Sequence, residues 1–129
     1  MDISLGPLLF HWGKDNFYKF YEEMAETDVA VVYLGEVVCA DRKGVELEDM
    51  AAVAKMLADK GKQVYLSTLG LMATAKEVQM TRDLCALPFD IEANNPGVFS
   101  IVTPEAGKKV AAGPHLTLYN TPSVKFMER

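Results

Sequence analysis

Cys39 stands in the stretch VVYLGEVVCADR, three residues after Glu36 and just before a charged run. The β-branched and aromatic residues ahead of it read as a buried strand ending at Gly35, which puts the cysteine in a polar loop beyond the strand. Free cysteine is often a small buried hydrophobe. In this setting a metal or iron–sulfur ligand, or a reactive thiol, is an equal alternative. Cys85 differs, because it lies seven residues after Val78 in a helical stretch, near Leu84 and Leu87, and reads as core. Neither cysteine has a Cys or His partner at ligand spacing, so the pair makes neither a zinc site nor a disulfide framework.

Other polar residues gather at comparable places. His11 and Trp12 follow the first apolar run, and Ser67 and Thr68 follow the third. Glu92, Asn94 and Asn95 follow the fourth, and His115 and Asn120 follow the fifth. Barrels and open α/β sheets build their sites at the C-terminal ends of strands. His11, Glu36, Ser67, Glu92, Asn94, His115 and Asn120 are therefore the expected pocket residues around Cys39. Helix N-caps also favour Asn, Ser and Thr, which is a purely structural reason for part of the clustering. Either histidine titrates in the range of a general base, yet neither lies beside a nucleophile in a known motif. Glu36 and Glu92 form an acid–base pair only if the fold joins their loops. No catalytic residue is assigned.

The elements that must position these groups alternate in hydrophobic period. Strands are expected near 7–11, 29–34, 63–67, 89–93 and 109–113. Between them, Phe17, Phe20, Tyr21 and Met24 recur at helical spacing, as do Leu47, Met50, Val53, Ala54 and Leu57. Gly61 reads as a helix C-cap, Thr74 with Glu77 as a capping box, and Asn95-Pro96 as a helix start. Thr121 and Pro122 open a last helix. The order is βαβαβαβαβα in one domain over residues 1–129, an α/β chain with a parallel sheet and helices outside. Periodicity leaves open a doubly wound sheet and half of a (β/α)₈ barrel, whose whole length is about 250 residues. No strand is followed by a G-x-G-x-x-G or Walker-type loop.

Composition bounds the partners. Among 129 residues, 13 are basic and 18 acidic, for a formal charge of −5, and no Lys/Arg stripe suggests nucleic acid. No apolar run approaches the roughly 20 residues of a membrane span. Asp2 stands where a secretory signal would carry positive charge, so the expected location is cytoplasmic. An H-E-x-x-H motif is absent.

The segments LGPLLFHW, VVYLGEVVC, GKQVYLSTLGL, IEANNPGV and AGPHLTLYN occur in an order and spacing that resembles the collagenase-like, U-type peptidase family. Within it they are most similar to the UbiU/UbiV branch of oxygen-independent ubiquinone biosynthesis, on the UbiV side. The cysteine of YLGEVVC is the most specific feature, and Thr117 stands where the family commonly has asparagine. The resemblance implies half of a TIM-like barrel, with Cys39 as one ligand of a [4Fe–4S] cluster in full-length relatives. It also implies a heterodimer with a UbiU-like protein and hydroxylation of the ubiquinone precursor ring without molecular oxygen. Three further thiolates are missing, so this chain alone is expected to lack the cluster and to be inactive, as an N-terminal portion of about five βα units. The alternatives are a non-catalytic half-barrel that associates, and a peptidase as the family's older label has it. A half barrel, with open edges and an inner face expected to be rich in valine, leucine and tyrosine, is expected to form a homo-oligomer.

Overall fold

The computed structural model describes residues 3–40 and 44–128; Asp41, Arg42 and Lys43 of the charged run lie outside the described residues. Five strands alternate with five helices: β1 Ser4–Leu5, α1 Lys14–Ala25, β2 Val31–Gly35, α2 Leu47–Asp59, β3 Gln63–Ser67, α3 Ala75–Ala86, β4 Asp90–Ala93, α4 Val98–Ile101, β5 Val110–Ala112 and α5 Thr121–Met127. All strand pairs are parallel, and the spatial order is β1-β2-β3-β4-β5. A doubly wound sheet must reverse its strand order at a switch point. This sheet never reverses. Right-handed crossovers between successive neighbours place the connecting helices α1 to α4 on the same face, which is the arrangement of consecutive βα units in half of a barrel.

Alternation along the strands sorts the side chains between two faces. Val32, Leu34, Val64, Leu66, Ile91 and Ala93 point toward the helices and are buried, where they pack with Tyr21, Val53, Ala54, Leu57 and Leu84. Each of the buried valine, leucine and isoleucine side chains contributes roughly 1.5–3 kcal/mol on burial. The opposite, inner face carries Tyr33, Tyr65, Gln63, Ser67, Asp90 and Glu92. This corrects the expectation of an inner face rich in valine and leucine. Leucine and valine fill the helix-covered side, and the inner face is aromatic and polar. Among the described residues, β1 and β5 each pair on one side only.

The first strand is a second correction. It lies at Ser4–Leu5 rather than 7–11. Pro7 has no N–H to donate to a ladder, and the chain leaves the sheet at Gly6. Leu8 then turns toward the core while Leu9 and Phe10 stay exposed. The Asn95-Pro96 helix start also moves. Asn95 Oδ1 accepts a hydrogen bond from Gly97 N–H at 2.8 Å in a turn, and the one-turn helix α4 begins only at Val98. The expected capping box of α3 is present, with Glu77 N–H donating to Thr74 Oγ1 at 3.2 Å and Thr74 N–H to Glu77 Oε2 at 2.8 Å.

Helices α1 and α2 are tied by a buried carboxylate. Asp49 Oδ1 accepts from Tyr18 Oη at 2.8 Å and pairs with Lys14 Nζ at 2.7 Å, while Oδ2 accepts from Glu46 N–H at 2.9 Å. The Glu46 amide, then Lys14 and Tyr18, hold the Asp49 carboxyl down to about 2. No helix among the described residues is long and apolar enough to cross a membrane.

Candidate functional site

Ser67 and Glu92 are register partners at the C-terminal ends of β3 and β4. Both lie on the inner face and both are buried. Asn94, two residues beyond Glu92 and so on the same side, donates from Nδ2 to Glu92 Oε2 at 3.1 Å. Thr68 locks the two strand ends together. Its N–H and its hydroxyl each donate to the Glu92 carbonyl at 3.0 Å, and its Oγ1 accepts from Asn94 N–H at 3.0 Å. Glycines allow the tight fit. A Cβ on Gly35, at φ 152°, would stand 2.3 Å from the Ser67 carbonyl oxygen. A Cβ on Gly113 would stand 2.2 Å from Asn94 Oδ1.

Next to this network Tyr33 and Tyr65 stack with ring centroids 5.3 Å apart and planes 20° from parallel. Burial raises the Tyr33 hydroxyl above its ordinary value, and the Glu92 carboxylate adds to the shift. The phenol and the carboxylate therefore share one surface. Tyr65 Oη accepts a hydrogen bond from Gln63 Nε2 at 2.8 Å.

The other expected pocket residues separate from this group. Glu36 lies one position past Gly35, on the opposite side of the alternation. It lines a small cavity with Tyr21, His11 and Trp12, and also a groove of about 660 Å³ between α2 and α3. The Tyr21 hydroxyl is fully buried and pushed up to about 12, first by burial, with the Glu36 carboxylate adding to the shift. The Leu8 backbone stands close enough to temper that shift without making a hydrogen bond of normal geometry. The fold does not join the Glu36 and Glu92 loops into an acid–base pair, because the two side chains serve opposite faces of the sheet. His11 is exposed against Gly44, and His115 is exposed against Gly70. The His115 backbone N–H reaches Asn94 Oδ1 at 3.5 Å, but its ring takes no part in the network. Asn120 caps α5, accepting from Ser123 N–H at 2.9 Å. That role is structural.

Cys39 is exposed in the loop beyond β2, and Cys85 is buried in α3, where burial pushes its thiol up. A [4Fe–4S] cluster requires four thiolates or equivalent ligands. The described residues place the two cysteines in different layers, and among them no group of three His, Cys, Asp or Glu side chains is arranged to hold a metal ion. The described residues by themselves do not supply the ligands of such a cluster. Two features of the site are not among the expected pocket residues, the Tyr33–Tyr65 stack and the Gly113 seat. Aligning VVYLG with QVYLS puts the tyrosines in register and would have exposed the first; no sequence signal marks the second.

No family model matches the chain, and no solved structure matches it significantly.

Proposed function

We propose that the chain supplies the N-terminal half of a barrel that acts as a UbiV-like iron–sulfur component, beside a UbiU-like partner, in oxygen-independent hydroxylation of the ubiquinone precursor ring. One observation carries this reading. The exposed Cys39 thiol lies past the end of β2, at the same end of a non-reversing parallel sheet as the Ser67–Glu92–Asn94 network. The remaining thiolates must then come from outside these residues, and activity belongs to the completed barrel. Within the chain, Thr68 and Gly113 hold Asn94 and Glu92 in place, and the tyrosine stack offers a flat surface to a planar ring. A peptidase is less well supported, since Ser67 Oγ has no hydrogen-bond partner among the described residues and so is not held by a base that could activate it.

The test is anaerobic purification of the chain alone and of the chain extended by the second half of a UbiV-like barrel. Iron assay and visible spectrum should show a cluster only in the extended protein, and Cys39→Ala should degrade it. Unchanged iron content and spectrum in that variant would remove the assignment. A second reading, a non-catalytic half barrel that works by association, is favoured by the one-sided pairing of β1 and β5.

A further inference from the structure

Glu92 is 7 % exposed; among the described residues its carboxylate accepts one hydrogen bond, from Asn94 to Oε2, has no Lys, Arg or His within ion-pair distance, and is not fully sealed from solvent. Beside it, in register, the Ser67 hydroxyl is fully buried with no hydrogen-bond partner. A buried carboxylate is normally paired or accepts several hydrogen bonds, and a buried hydroxyl normally has at least one partner. Two adjacent groups short of partners on one face point to something that completes both.

The surroundings specify its charge. Strand alternation places Asp90 on the same face, two residues before Glu92, and none of the described strands places a lysine or arginine there. The half-buried Tyr33 and Tyr65 rings lie on the same face of the sheet as the carboxylate, and aromatic π surface attracts cations. We propose that this inner face binds the cationic head of a small molecule, a protonated amine or guanidinium. The head would donate N–H groups to Glu92 and Ser67 and lie against the Tyr33–Tyr65 stack. The proposal uses the same network and tyrosine stack as the preceding reading but does not rest on a cluster at Cys39, and its test uses no iron.

The probe is n-butylammonium chloride, with n-butanol as the neutral molecule of similar shape. Each is titrated into the whole chain while the tyrosine ring signals and the Ser67 and Glu92 backbone amides are followed by NMR. The ammonium should produce saturable shifts at these four residues, and butanol should not. Glu92→Gln keeps an oxygen for Asn94 but removes the charge, and should weaken binding at least about tenfold. Equal responses to the two probes, no saturable shift, or undiminished binding by Glu92→Gln would each overturn the proposal. Should Glu92→Gln not fold, the comparison of the two probes on the unaltered chain decides the matter.

Discussion

Asn94 and Gly113 fit so closely that a single methyl group on the glycine would stand 2.2 Å from the Asn94 side-chain oxygen, well inside contact distance. Gly113 also donates its N–H to the Ala93 carbonyl at 2.8 Å, so the backbone cannot retreat without breaking a bond between adjoining strand ends. Gly113→Ala should therefore push Asn94 off Glu92 and destabilise the chain by about 1–3 kcal/mol, the usual cost of overpacking. Chemical denaturation reads the loss. An unchanged midpoint would mean that Asn94 can rotate away freely.

Asp49 should set the acid limit of the α1–α2 pairing. Its folded carboxyl is held at about 2, below the ordinary value, so its contribution is present above the unfolded value near 3.8 and is lost as pH falls toward 2. Asp49→Asn keeps the shape but removes the charge that Lys14 and the Glu46 amide meet. The variant should be less stable near neutrality by about 1 kcal/mol, since solvent screens the exposed Lys14 end of the pair, and its stability should fall less steeply than that of the parent between pH 4 and about 2. Parallel acid titrations followed by circular dichroism would show it; superimposable curves would contradict it.

The two cysteines should differ sharply toward a thiol reagent. Cys39 is exposed and Cys85 is buried with its thiol pushed up. The native chain should consume one equivalent quickly, and the second only after denaturant is added. Fast labelling of both in the native state would mean that α3 does not pack as described.

The third helix offers a more local check. Thr74→Ala removes the side chain that caps Glu77 N–H, and should cost about 1 kcal/mol. Thr74→Ser should restore most of it. A thermal scan of the three proteins decides, and no difference between alanine and serine would show that the cap contributes nothing.

Light scattering at micromolar concentration tests association. Unpaired β1 and β5 edges invite another chain, so a dimer or larger species is expected. A well-folded monomer would show that the edges are protected in some other way.

What could be read in advance follows a physical divide. The third strand is found at 63–67 because a continuous apolar run follows a helix whose end is marked by Gly61, and both signals are local. The α3 start is legible for the same reason, since Thr74 and Glu77 carry the capping chemistry in their own side chains. The first strand is misplaced because two residues carry no period, and Ser4–Leu5 is a strand only by virtue of pairing with Val31 and Val32. Ser67, Glu92 and Asn94 are expected together and are found together, since strand-end position is a local property. Glu36 goes elsewhere because one step past Gly35 reverses the side it faces, and that depends on where β2 stops.

Because the sheet runs β1-β2-β3-β4-β5 without a reversal, each strand finds its first neighbour in the unit made immediately before it. A sheet with a switch point keeps one flank of an early strand empty until a much later segment arrives. Here a chain emerging from the ribosome from its N-terminus can add one strand and one helix at a time, each against a surface already formed. Long loop closures are avoided, and non-local closures are what slow the folding of parallel sheets. The growing end would be the only sticky edge renewed during synthesis, and the next unit to emerge would cover it.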